Sequence, residues 1–371
     1  MFKKLLNRDA QPMRVRIERK FSAYRTLIAV GISLGIAFVL IISVSDQPGT
    51  DIFNFLFGPL TSFHRFTLMI EKVTPLLFTG SAVALMFTAG QINLSGEGAF
   101  FMGAFVATPI AIVVGIPMGI HPLMAVLAAG IAGAVVCSIP GILHVKLKIL
   151  PVVPSLMLNF VVMFFVLYFI LNVLRDPGAG FEASWPFAAT ARLTSVFGPG
   201  NARVTIGLPI GIIVVVGCYL LLNKTTFGYS VRMIGHNRKF AQYSGVKVGA
   251  TIIAVQVLAG FIAGIGGGLE VLSMFPRFMY TALPGHGWDG ILIAVLARNN
   301  PKNIPIAVLF LAYIRMSADV LNRTSSVPLE VVGVIQAIII CFVAAERFLA
   351  AWEHRAIVKA SQQSLLSEEE G

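Results

Sequence analysis

The chain is a succession of apolar runs, most of them roughly 18 to 24 residues long, the length at which a helix crosses a hydrocarbon core of about 30 Å. They fall at 26–44, 66–89, 98–119, 122–143, 153–174, 206–223, 249–272, 286–298, 304–320 and 330–350. A segment in lipid must satisfy its own backbone amides and carbonyls, and a helix does so internally. The pattern predicts an all-α polytopic transmembrane bundle of about ten helices, with short or broken helices lining a pore. The run at 286–298 is short, and reads either as a half-helix or as a span that begins earlier. Three regions follow: a basic amino-terminal segment 1–25, a transmembrane domain 26–350 and a tail 351–371 that ends in Glu368, Glu369 and Glu370 and reads as solvated.

Composition excludes the soluble alternatives. Charged residues make up 12% of the chain and apolar residues 57%, against about 25% charged in a soluble domain. The net charge of +11 would suggest nucleic acid in a soluble protein. Here the basic residues flank apolar runs, which is the signature of orientation by the positive-inside rule, and no nucleic-acid partner is expected. With the amino terminus inside, 20 of the 28 Lys and Arg residues fall on the inner side. This predicts a multi-pass protein of a bacterial-type cell membrane with both termini cytoplasmic. The first 25 residues carry eight Lys and Arg, like a signal peptide, but the apolar run after them is too long for one, so it reads as a retained first helix. Cys137, Cys218 and Cys341 lie in apolar runs without metal-ligand spacing and read as packing residues.

Between two runs lies a polar island, Lys224 to Lys247, reading KTTFGYSVRMIGHNRKFAQYSGVK, with five basic residues and no acid. It must face water or another protein. Glycines at 228, 235 and 245 punctuate it, and Arg238 to Ser244 is compatible with a short helix.

Catalytic motifs are missing. There is no GxxxxGK[ST], HExxH or GxSxG, and the six histidines are scattered. The chain is therefore read as a non-enzyme without metal or cofactor of its own. Leu94 to Gly98, LSGEG, superficially resembles an ATPase signature, but no phosphate-binding loop accompanies it.

Polar residues interrupt the apolar runs at a few places. In AGQINLSGEG, Ala89 to Gly98, the polar decapeptide either lines a cavity or reaches water; Asn93 and Glu97 are candidate pore residues, and Glu97 alternatively just caps the next helix. Asn159, in PSLMLNF, can bond a solute or a neighbouring helix. In GHGWDGILIAVLARNNP, Trp288 can stack on a flat ligand or anchor at the interface, and Asp289 sits at a helix start. Ser95-Gly96-Glu97-Gly98 and Gly287-Trp288-Asp289-Gly290 echo one another, one in each half; such an echo points either to a transport path or to chance in a glycine-rich chain. Gly260, Gly264 and Gly268 form a close-packing stripe, with Glu270 near its outer end and free to lie exposed. Arg315 and Asp319 are spaced to pair on one helix.

The island resembles the cytosolic loop of binding-protein-dependent ABC permeases that import branched-chain amino acids, simple sugars and nucleosides. The usual form, T-x-x-G-x-x-x-R-x-x-G-x-N-x-x-A-A-x-x-x-G-[IV], stands here as Thr225, Gly228, Arg232, Gly235, Asn237, Ala241, Gly245 and Val246, with Phe240 in place of the first alanine. GQINLSGEG and LMLN are similar to the nucleoside branch, and GHGWDGILIAVLARNNP resembles that branch's G-x-G-[FW]-D-G segment, with Ala297-Arg298 where leucine-glycine is commoner. The resemblance covers roughly residues 66 to 345. It implies a permease subunit that pairs with an identical or related permease, receives solute from an extracytoplasmic binding protein, and is driven by separate ATPase subunits that hold the ATP and Mg and dock on the island. The nucleoside is the solute it favours; ribose-type sugars, branched-chain amino acids and, more remotely, an ion-gradient-driven carrier are the alternatives.

Overall fold

The computed structural model describes residues 31–193, 195–197 and 204–344. The basic segment 1–25, the opening of the first apolar run, the end of the last run and the tail 351–371 lie outside the described residues. The chain divides into two compact units: Phe57–Ser317 is one, and the described residues up to Leu56 and from Ala318 belong to the other.

Helices dominate. In chain order they are α1 (Gly31–Val44), α2 (Pro48–Phe57), α3 (Phe63–Thr88), α4 (Gly96–Ile112), α5 (Ile120–Leu147), α6 (Val152–Asn172), α7 (Gly207–Lys224), α8 (Thr226–His236), α9 (Arg238–Tyr243), α10 (Val248–Met274), α11 (His286–Leu296), α12 (Ile304–Thr324) and α13 (Leu329–Ala344). A small antiparallel ribbon pairs Ser195–Phe197 with Val204–Thr205. Among the described residues six helices are long and apolar enough to cross a membrane, while α1, α4, α11 and the α13 region are shorter apolar helices. Each of the ten expected runs thus contains a helix. The run at 286–298 is a half-helix: its 11 helical residues extend only about 16 Å.

In the smaller unit, the turn after α1 is tied by side chains. Ser45 Oγ donates to Asp51 at 2.6 Å, and Asn54 Nδ2 donates to Thr324 Oγ1 at 3.3 Å. Asp51 is buried in the first turn of α2, where a carboxylate complements the helix dipole.

The larger unit is organised around α10. A Cβ at Gly260 would strike the carbonyl of Gly133, and one at Gly264 would strike the carbonyl of Ala129, both on α5. On another face Gly267 leaves room for the carbonyl of Phe100, and Gly103 for the backbone of Gly264, so α4 lies equally close. The glycine stripe therefore brings α10 into backbone contact with α5, as its spacing predicts, and α4 closes on α10 beside it. Elsewhere large apolar side chains stay exposed, among them Phe160, Phe164 and Tyr168 on α6, as a lipid-facing surface requires.

Two expectations change. Glu270 is buried, 4% exposed, and its Oε1 lies 2.8 Å from His286 Nε2; the start of α11 reaches back to the end of α10 and covers it. Cys137 and Cys218 are buried packing residues, but Cys341 is exposed. Arg315 also meets an acid on another helix, Asp289 of α11.

Candidate functional site

Two places bring the polar sequence signals together. The first is a broken-helix centre. α3 ends where Gly90 takes a left-handed φ of 68° and its amide, with that of Gln91, bonds back to Phe87 and Met86. This closure is the usual way a helix end satisfies its last carbonyls. The chain then runs unwound until α4 starts at Gly96. Unwound backbone at membrane depth needs partners from the protein, and three helices supply them. Ser155 Oγ on α6 accepts the amide of Leu94 at 3.0 Å, and Asn159 Nδ2 donates to the Leu94 carbonyl at 3.0 Å. Asn93 Nδ2 donates to Gln256 Oε1 on α10 at 2.7 Å and to the carbonyl of Cys137 on α5 at 3.3 Å. Asn93 Oδ1 accepts both the amide and the hydroxyl of Ser95, at 2.9 and 2.7 Å.

The two echoed motifs touch here. The Glu97 carboxylate accepts the amide of Gly285 at 2.6 Å and that of Gly287 at 2.5 Å. Those amides belong to the start of α11, whose Ncap, Gly285, is left-handed at φ 88° and offers no side-chain cap. Glu97 thus stands in for the missing cap, from a position 190 residues away. A Cβ on Gly287 would collide with the backbone of Glu97, and one on Gly98 would lie 2.8 Å from Asn159 Oδ1, which accepts the Gly98 amide at 2.9 Å. Two half-helices therefore begin at one point, with their positive ends converging on a carboxylate.

Of the predicted path residues, Asn93, Glu97 and Asn159 are buried, and the polar atoms just described bond within the chain. Asn159 makes the bond to a neighbouring helix that was its alternative reading, whereas Glu97 caps α11 and not the next helix, α4; with Asn93 they hold the unwound segment in place. Asp289 is buried too and pairs with Arg315 on α12. Trp288 differs: 39% of it is exposed beside this centre. The sequence reading missed Gln256, Ser155 and the Glu270–His286 pair. A lone polar residue in an apolar run was the available signal, but it does not name a partner.

The second place is the island, which is folded rather than a loop. α8 occupies its first half, capped by Thr225 Oγ1, which accepts the amide of Gly228 at 3.0 Å. Each motif residue has a local task. A Cβ at Gly228 would strike the carbonyl of Leu221, and one at Gly235 would strike the carbonyl of Thr88, so α8 lies against the ends of both α7 and α3. Arg232 Nη1 donates to the carbonyl of Leu222 at 2.5 Å and to Asn223 Oδ1 at 2.9 Å, supplying the end of α7 with a cation. Asn237 caps α9 by accepting the amide of Phe240 at 3.0 Å. Ala241 is fully buried among Ile234, Val248 and Ile252. Gly245, at φ 83°, turns the chain into α10. Outward, the island presents aromatics: Tyr229 is 58%, Phe240 60% and Tyr243 90% exposed.

Beyond α11 the chain turns through Arg298 and Asn299, both left-handed at φ 52° and 55°. A glycine, commoner at the first position in similar sequences, adopts this conformation without strain; an arginine there costs about 1–2 kcal/mol.

The chain is similar in sequence to several transporter permeases. The chain is 31% identical to a glucose ABC transporter permease protein, TsgB13, of Haloferax volcanii, over 88% of each chain. It is 30% identical to the guanosine ABC transporter permease protein NupP of Bacillus subtilis, over 85% of this chain and 91% of that one. It is 25% identical to the nucleoside ABC transporter permease protein NupB of Lactococcus lactis, over 91% and 94%. The profile described as branched-chain amino acid transport system / permease component matches residues 66–344, and the chain, with its broken-helix centre and folded island, belongs to that family of ABC permeases.

Proposed function

We propose that this permease forms half of the pore of an importer and carries a nucleoside inward. A second permease, identical or related, completes the pore, and an extracytoplasmic binding protein delivers the solute. Separate ATPase subunits, which hold ATP and Mg, dock on α8 and α9 through Gly228, Arg232, Gly235, Asn237, Ala241 and Gly245. Both termini then lie in the cytoplasm, and the chain itself needs no cofactor and catalyses no reaction.

The observation that carries this reading is the exposed face of the island. Tyr229, Phe240 and Tyr243 stand outward on a platform that is otherwise bonded into α3, α7 and α10. Exposed aromatics on a rigid, basic support are what a protein partner grips, and force applied there reaches α3, whose other end of contact is the unwound segment. For the path, Trp288 offers the flat face on which a base stacks. Asn93, Glu97, Asn159 and Asp289 shape the path around it by holding the two half-helix starts.

A sugar is the second reading, favoured by the glucose permease relative. Uptake of labelled guanosine, glucose, ribose and leucine by cells with and without the gene, each also with an ATPase that cannot bind nucleotide, separates these. Loss of guanosine uptake alone in both backgrounds supports the proposal. Loss of glucose or ribose uptake moves the solute to a sugar, loss of leucine uptake to an amino acid, and uptake that survives the ATPase lesion points to a gradient-driven carrier.

A further inference from the structure

Where the unwound segment meets the island lies a cavity of about 360 Å³, between the Gly90–Ile92 segment, the start of α6 and the end of α8. That is within the range of small-molecule sites, about 300–1,000 Å³. Its lining includes Arg238, His144 and His236, apolar walls from Ile92, Leu150 and Ile234, and no carboxylate.

Two features ask for a ligand. Arg238 Nη1 lies 3.0 Å from His144 Nε2, while His144 Nδ1 lies 2.8 Å from the carbonyl oxygen of Ile149. The carbonyl can only accept, so Nδ1 carries a hydrogen and Nε2 accepts from the guanidinium. This arrangement orients Arg238 at the cavity and leaves its charge without an acid among the lining residues. Gln91, also in the lining, is 6% exposed, and its Oε1 has no hydrogen-bond partner. A buried amide oxygen left unpaired is costly, so the site is completed by a hydrogen-bond donor.

We propose that this cavity binds a phosphate-bearing small molecule, with the phosphate on Arg238 and a hydroxyl or amine of the ligand on Gln91. A guanidinium matches two phosphate oxygens at once, and the apolar walls accommodate a ring between the two polar ends. A ligand seated here touches both α8 and the segment that leads to Asn93. The phosphate has two sources, a soluble phosphomonoester or a lipid headgroup, and the inference is independent of which solute the permease carries.

The test is calorimetric titration of the purified full chain in lipid-free detergent and phosphate-free buffer, with inorganic phosphate, AMP, adenosine and phosphatidic acid in mixed micelles as probes. We expect saturable binding of phosphate and AMP, with adenosine at least about tenfold weaker. Arg238→Gln should weaken both phosphate probes by about tenfold or more, Arg238→Lys less so, and Gln91→Leu should weaken AMP more than inorganic phosphate. Melting temperatures without ligand check that each variant folds, and Arg238→Lys carries the comparison if Arg238→Gln does not. Phosphatidic acid that displaces AMP assigns the phosphate to lipid; AMP binding that persists beside it assigns a soluble ligand. Absence of saturable phosphate binding below about 10 mM, or equal binding by Arg238→Gln, overturns the proposal.

Discussion

Glu97 caps a helix to which it does not belong: its carboxylate accepts the backbone amide of Gly287, and the α-carbon of Gly287 is pressed so close to Glu97 that any side chain there would collide with it. One acid and one glycine thereby join the starts of α4 and α11.

Glu97→Gln tests that join with little change in volume. The amide replaces one acceptor by an NH2 group, which then faces the hydrogen of Gly285 or Gly287. Leaving a buried donor without an acceptor costs about 1–3 kcal/mol. We expect a lower melting temperature and reduced uptake, with Glu97→Asp intermediate. Parental melting and uptake in Glu97→Gln would mean that the carboxylate is dispensable.

Asp289 and Arg315 form a pair in which one partner is 3% exposed and the other 41%. The open arginine is screened by solvent, so the coupling falls well short of a fully buried pair, at about 1 kcal/mol. Asp289→Asn leaves a guanidinium that solvent reaches, whereas Arg315→Met strands the buried carboxylate, which is the more damaging loss. A double-mutant cycle in melting free energy should show the combined variant less destabilised than the two single changes added together. Simple additivity would show that the pair contributes nothing.

What could be read in advance follows from where the constraint is local. The membrane forces each span to be a helix, so ten runs foretold ten helices, and the glycine spacing at 260, 264 and 268 foretold a close helix contact, though not that α5 makes it. The island's motif residues were also legible, but α8 was not. Gly228 and Gly235 look like breakers in a sequence, yet in the structure they are the points where α8 passes within backbone distance of α7 and α3. Nothing near Asn93 in the chain announces Gln256, 163 residues later, and nothing near Glu270 announces that His286 covers it. Burial and pairing of lone polar groups are properties of the assembled bundle, so the candidate path was visible as a set of residues while their bonds were not.

Trp288 should separate ring stacking from simple anchoring. Its exposed face lies beside the half-helix starts, and replacement by alanine removes a stacking surface worth about 0.5–1.5 kcal/mol for an aromatic pair. Trp288→Ala is expected to lower guanosine uptake by about threefold to tenfold, with a smaller loss for a free sugar and little change in melting temperature. Equal losses for both solutes would make the residue an interfacial anchor.

Gly235 is the point at which α8 rests on the end of α3. A Cβ there meets the carbonyl of Thr88, and a backbone carbonyl at a helix end cannot be moved aside like a flexible side chain. Gly235→Val must therefore lift α8 away from α3, while Ala241 and its apolar neighbours still hold α9 to α10. If the ATPase docks as proposed, the island would keep its exposed aromatics and that ATPase, but its movement would no longer reach the unwound segment. The expected result is a reconstituted importer whose ATP hydrolysis continues at near the parental rate while uptake falls by about tenfold or more. Loss of hydrolysis together with uptake would show that the contact serves docking rather than transmission, and full uptake would show that α3 is not the route by which the island acts.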